Sequence, residues 1–162
     1  MDETIKRRLA TEWKKLAAGS VFSVQDFSVA LSKRQFLSFL SAYLDQGEVS
    51  QVVPNIYYKI KFSNLFNPPR ALPPDLSKVL AALTRLTGES FQYDGGYCAN
   101  RLGLSTQIPL YHVLHTSGRS RRFKLAGVDV VLNHMDVKLI KAIKDQLSLE
   151  EYAKLLSADF PK

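Results

Sequence analysis

Apolar residues recur at helical spacing from the start of the chain. Ile5, Leu9, Trp13, Leu16 and Ala17 fall on one helical stripe, and Gly19 supplies its stop. A second short helix is expected after Ser23, with Phe27, Ala30 and Leu31 inward. Ser32-Lys33-Arg34-Gln35 then has the form of a capping box, in which the Ser32 hydroxyl accepts from the amide three residues on while Gln35 reaches back. This predicts a third helix running to Gln46, burying Phe36, Leu40, Tyr43 and Leu44 and ending at Gly47. From Val49 to Lys61 the pattern becomes extended. Two short strands are predicted there, turning at Pro54-Asn55.

Four of the seven prolines lie within Pro68-Pro69-Arg70-Ala71-Leu72-Pro73-Pro74. Proline removes a backbone donor and disfavours helix at the residue before it, so the stretch reads as an extended connector. The expected organisation is a winged helix-turn-helix over residues 1–66, a Pro-rich connector over 67–74 and a C-terminal α+β domain over 75–162. The fold class expected for the whole chain is α+β, with a small antiparallel sheet in the C-terminal domain. Asp75 is the predicted N-cap of a helix burying Leu76, Val79, Leu80, Leu83 and Leu86, closed by Gly88. A short strand at Phe91-Gln92-Tyr93, a turn at Asp94-Gly95-Gly96 and a brief helix from Tyr97 to Leu102 follow. Extended runs are predicted at Pro109 to Thr116, Arg121 to Leu125 and Val128 to Leu132. Val137, Ile140, Ala142 and Ile143 mark another helix, and Ser148-Leu149-Glu150-Glu151 caps a last one with Tyr152, Leu155 and Leu156 inward.

Three helices followed by a hairpin is the order of a winged helix-turn-helix, which lays its third helix in the major groove and its hairpin beside a phosphate strand. The candidate DNA-binding residues follow from that placement. With Phe36, Leu40, Tyr43 and Leu44 inward, Arg34, Ser38, Ser41 and Asp45 lie on the opposite face. Arg34 has the geometry to fork onto a guanine edge, and Ser38 and Ser41 reach bases or phosphates. Lys33 and Gln35 sit in the same first turn, and Asn55 sits at the tip of the wing. A helix-hairpin module also serves as a protein-docking platform, and that reading stays open.

Charge adds one fact to this picture. The chain of 162 residues carries a net charge of +7. Residues 1–58 hold seven Lys/Arg against six Asp/Glu, residues 59–134 ten against four, and residues 135–162 five of each. The excess lies in the middle, where Arg119-Ser120-Arg121-Arg122 and Lys124 cluster. Arginines bind phosphate in bidentate fashion, which suits a nucleotide or a nucleic-acid partner such as RNA. The same cluster also suits a solvated strand edge blunted by charge.

At 46% hydrophobic and 23% charged residues the chain is of globular type. Cys98 is its one cysteine, which fits a reducing compartment. There is no apolar run of the ~18 residues a membrane span needs, nor a signal-peptide core, so a cytoplasmic protein without a membrane partner is expected. His112 and His115 stand three apart in an extended run and point to opposite faces, a poor spacing for shared metal ligation. No paired carboxylates, phosphate loop or nucleophile–base pattern accompanies Cys98 or His134. Neither an enzyme nor a cofactor is expected.

Two strings carry a resemblance. Tyr97-Cys98-Ala99-Asn100-Arg101-Leu102-Gly103-Leu104-Ser105-Thr106-Gln107-Ile108-Pro109, followed by His115-Thr116-Ser117-Gly118-Arg119-Ser120-Arg121, resembles the C-terminal region of AbiEi-type antitoxins. These belong to bacterial type IV (abortive-infection) toxin–antitoxin systems. Gly19-Ser20-Val21-Phe22-Ser23, Leu40, Gly47 and Val53 to Tyr58 are similar to that family's winged helix, although Pro54-Asn55 stands where its wing usually has a glycine. The resemblance implies an antitoxin that represses its own operon and counters a nucleotidyltransferase-like toxin. Its partners would be operator DNA, read as a dimer or paired monomers, and the toxin. It places Asn100, Ser105, Gln107, Arg119 and Arg121 in the family's C-terminal motif; Asn100, Arg101, Gln107 and Arg119, with Arg121, Arg122 and Lys124 of the basic cluster, are the candidate contacts for toxin or nucleic acid. Asn100, Ser105 and Gln107 equally suit turn and cap chemistry beside glycine.

Overall fold

The first helix, α1 (Glu3–Lys15), forms where the apolar stripe predicts it and buries Leu9 and Trp13. Its C-terminal carbonyls are met from a distance. The Lys59 ammonium donates to the Trp13 carbonyl at 3.0 Å and the Leu16 carbonyl at 2.8 Å, and lies 4.3 Å from the Trp13 ring centroid. A cation there complements the negative end of the helix dipole. The computed structural model describes residues 2–94 and 110–146 of the chain. Its elements form an α+β fold of four helices and small sheets among the described residues. They divide into two compact units, Met1–Thr87 and Gly88–Lys162.

In the first unit, β1 (Val21–Phe22) pairs with β3 (Ile56–Lys59), which pairs in turn with β2 (Val49–Val53), all antiparallel. The helix expected after Ser23 is only a 3-10 turn over Val24–Asp26, and Ala30 is exposed rather than inward. The physical reason lies in what its polar groups bond. Ser23 and Asp26 cap that turn reciprocally, and Ser28 donates both its amide and its hydroxyl to the Glu12 carboxylate of α1. The chain is tied there instead of winding on. The next helix, α2 (Lys33–Asp45), starts at the predicted capping box and buries Phe36 and Leu40. Trp13, Phe22, Phe27, Phe36 and Tyr57 meet in tilted and edge-on pairs with centroids 5.4–6.0 Å apart. Such pairs add about 0.5–1.5 kcal/mol each beyond their burial.

The proline stretch behaves differently from the expected connector. Lys61–Ser63 (β4) and Arg70–Leu72 (β5) pair antiparallel, so residues 64–69 form the tip of a hairpin and hold Pro68 and Pro69. Prolines are compatible with a sheet once they leave the ladder, and here they stand in the loop and after the strand. The helix α3 (Leu76–Thr87) follows, its first turn held by the Asp75 carboxylate, which accepts from the Ser77 amide at 2.8 Å. Val79, Leu80, Ala82 and Leu83 are buried, and α3 packs against β1 and β3. Arg85 reaches Asp26 at 2.7 Å and Lys78 reaches the Gly19 carbonyl at 3.4 Å. The helix assigned to the C-terminal domain from sequence therefore packs with the N-terminal elements.

The second unit holds a four-stranded sheet in the order β6-β7-β9-β8, built from Phe91–Tyr93, Tyr111–Thr116, Val128–His134 and Arg121–Leu125, with α4 (Val137–Gln146) after it. The sheet is mixed, not antiparallel as expected. β6 with β7 and β8 with β9 are antiparallel, whereas β7 and β9 run parallel. Composition accounts for the order. β9 carries Val130 and Leu132, both fully buried, and takes an interior position, while the charged β8 takes an edge. A two-residue turn at Ala126 (φ 50°) and Gly127 (φ 84°) joins them as a hairpin, which leaves β9 parallel to β7. The brief helix expected over Tyr97 to Leu102 and the last helix from Ser148 lie outside the described residues.

Candidate nucleic-acid interface

The best-defined polar face is that of α2. The Ser32 hydroxyl accepts from the Gln35 amide at 3.3 Å, and the Gln35 side-chain oxygen accepts from the Ser32 amide at 3.0 Å and from its hydroxyl at 2.9 Å. The box fixes the first turn and aims the two side chains between its ends. Lys33 and Arg34 are both exposed, as are Ser38 and Ser41 on the turns that follow. Gln35 differs from its neighbours, since its side-chain oxygen is engaged in the cap and the residue is half-buried. The Ser41 hydroxyl donates back to the Ser38 carbonyl at 2.9 Å, which leaves its oxygen to act as an acceptor. Asn55, half-buried at the β2–β3 turn, has φ 66°, a left-handed conformation that asparagine tolerates better than most residues.

In the second unit the basic cluster separates into two kinds of residue. The Arg121 guanidinium lies 2.8 Å from the Glu89 carboxylate, and also donates to the Arg119 carbonyl at 3.1 Å. Lys124 faces its cross-strand partner Asp129 at 3.6 Å. Arg119 and Arg122 are exposed and form no ion pair among the described residues. Arg121 is thus engaged within the fold and Lys124 in a largely exposed pair, whereas Arg119 and Arg122 have no carboxylate partner among the described residues. Asn100, Arg101, Ser105, Gln107 and Cys98 lie outside the described residues.

The histidines are placed on the same sheet. His112 and His115 occupy β7, with His115 Nε2 3.6 Å from the Asp94 carboxylate, and the His134 ring lies 2.7 Å from the Gly118 carbonyl. Among the described residues no three His, Cys, Asp or Glu converge as metal ligands, and no helix is long and apolar enough to cross a membrane. A shallow depression of about 320 Å³ in the first unit is lined by Glu12, Lys15, Leu16, Asp26, Phe27 and Ser28.

Sequence reasoning missed Glu89, Lys61 and Arg70. Glu89 organises the Thr116–Arg121 loop, and its one signal was a carboxylate in a stretch poor in them. Lys61 and Arg70 belong to the hairpin that prolines disguised.

From residue 8 to residue 153 the sequence matches the model of a family of unknown function, DUF6088. No curated protein and no solved structure matches the chain. With the match running over most of its length, the chain belongs to the DUF6088 family.

Proposed function

We propose that the first unit is a winged helix-turn-helix and that the protein is a cytoplasmic antitoxin that represses its own toxin–antitoxin operon. The observation that carries the DNA-binding part is the exposed Lys33–Arg34–Ser38–Ser41 face of a capped α2, beside the sheet β1-β3-β2. In this reading α2 lies in the major groove, Arg34 forks onto a guanine edge and Lys33 holds a phosphate. The β2–β3 hairpin is the wing, with Asn55 at its tip. The antitoxin part rests on the AbiEi resemblance. It gives the second unit, with Arg119 and Arg122 exposed, the task of countering a nucleotidyltransferase-like toxin.

The test is fluorescence anisotropy of the full chain on its own upstream DNA, at low and physiological salt. Sequence-selective binding that survives physiological salt is expected, and alanine at Lys33 and Arg34 together should weaken it strongly. Sequence-blind binding that vanishes with salt would sink the repressor reading. A second reading, protein docking on α2, is favoured by one observation: Leu37 is 37% exposed in the middle of the same face. Co-purification with a neighbouring gene product, together with no DNA affinity, would select it.

A further inference from the structure

The β4–β5 hairpin leaves apolar side chains exposed on both faces and at its tip. Two strands alone are marginal in water and gain independent stability from cover on one face. Here Phe62 is 52%, Phe66 47% and Leu72 37% exposed, and Leu65 at the tip is 91% exposed. The register puts Phe62 and Leu72 on opposite faces, so the apolar surface that can mark an interaction site is the tip, Leu65 and Phe66. The hairpin is nevertheless anchored. The hydroxyl of the buried Tyr58 donates to the Leu72 carbonyl at 2.9 Å and accepts from the Lys61 amide at 3.4 Å. At the tip, the Ser63 hydroxyl accepts from the Leu65 amide at 3.3 Å. Its base is fixed while its apolar tip faces water.

Charge indicates what covers it. From Val49 to Pro74 the chain has no carboxylate; of its three cations Lys59 is bonded to the end of α1, which leaves Lys61 and Arg70 on the hairpin. The register pairs Lys61 with Leu72 and Ser63 with Arg70, so both hairpin cations share a face, and the Arg70 guanidinium lies 4.9 Å from the Phe66 ring centroid. A second copy seated here would bring like charges together, which disfavours self-association. A polyanion is complementary. Asn64-Leu65-Phe66-Asn67 next to Arg70 is also the chemistry of a minor-groove reader. Asparagine and arginine meet the acceptors on the groove floor, and apolar side chains wedge between base steps.

We propose that the β4–β5 hairpin is a second DNA contact, with Leu65 and Phe66 entering between base steps from the minor groove and Arg70 lying along its floor. The proposal rests on the DNA-binding reading above and gives it a second element. The experiment uses the full chain on its upstream duplex, with 2-aminopurine placed at successive steps to report unstacking. Wild-type protein should brighten the probe at one step, and a minor-groove dye should compete. The double variant Leu65→Ala/Phe66→Ala should lose that signal and bind about tenfold more weakly or worse. Its thermal unfolding should stay close to wild type, because Leu65 is 91% exposed and Phe66 gives up a surface contact with Arg70.

Unchanged affinity in the double variant, with no brightening at any step for wild type, overturns the wedge. If alanine at Lys33 and Arg34 still weakens binding, the DNA-binding reading survives that outcome. Absence of any DNA binding by wild type overturns both. A double variant that turns a dimer into a monomer in sedimentation while base stacking stays unaltered assigns the surface to a second copy and also overturns the wedge.

Discussion

Arg121 Nη1 lies 2.8 Å from Glu89 Oε2, and the same oxygen accepts the hydroxyl of Thr116 at 2.8 Å. Thr116 is fully buried, and its own oxygen accepts from the Gly118 amide at 3.0 Å. A Cβ at Gly118 would overlap the Glu89 carboxylate. The turn after β7 is therefore folded around one carboxylate. Arg121→Ala removes the cation from a partly buried pair and should cost about 1–2 kcal/mol of the second unit's stability. Arg122→Ala, at an exposed position, should stay within about 0.5 kcal/mol of wild type. Chemical denaturation of the two variants checks this. Equal stability would mean that the pair contributes nothing.

That contrast shows where the sequence was legible. Arg121 and Arg122 are neighbours of the same type, and what separates them is Glu89, remote along the chain. The capping box of α2, the stripe of α1 and the Pro54-Asn55 turn could be read because their signals are local. β1 could not, since two residues carry no periodicity and its strand character comes from pairing with Tyr57 and Tyr58. The prolines that suggested a connector stand at a hairpin tip and after β5, positions where proline does not interrupt the ladder. The parallel pairing of β7 with β9 depends on which strand is more apolar, and alternation within each strand does not reveal neighbours. For the proposed DNA face, the first-turn cations were legible, whereas the hairpin surface was visible only once folded.

Ser32 tests whether the α2 cap contributes as its geometry implies. Ser32→Ala deletes the hydroxyl that satisfies the Gln35 amide, and should cost about 1 kcal/mol. Ser32→Asp keeps an acceptor at the helix N-terminus and should retain most of the stability. Thermal unfolding measures both. On the DNA-binding reading, Ser32→Ala should also weaken operator affinity, because Lys33 and Arg34 lose a fixed first turn.

Glu12 gives a pH dependence with a definite sign. The Ser28 hydroxyl, then the Ser28 amide, hold its carboxyl below the ordinary 4.5; Lys15 and Arg8 add to this against an opposing effect of burial. The folded chain thus binds this proton less readily than the unfolded one. The stabilisation is complete above the ordinary value and is lost as pH falls through the depressed folded one. Glu12→Gln should be less stable than wild type at neutral pH, and the gap should narrow on acidification below 4.5. Melting temperatures across that range decide it. A gap independent of pH would show that the Ser28 contact does not favour the ionised form.

Asn55 separates a structural role from a contact. Its φ of 66° is left-handed, a conformation that glycine adopts freely and a β-branched residue strongly resists. Asn55→Gly should therefore fold with stability within about 0.5 kcal/mol of wild type, and Asn55→Val should lose about 1–2 kcal/mol. If the β2–β3 hairpin is a wing, Asn55→Gly removes a neutral hydrogen-bonding group from a phosphate strand. Affinity should then fall while the dependence on salt keeps its slope, since no counterion is released on that side chain's account. Lys33→Ala should behave oppositely, lowering the slope of log affinity against log salt by about 1. Equal affinity for Asn55→Gly and wild type would leave the turn a purely conformational role and move the wing contact elsewhere on the hairpin.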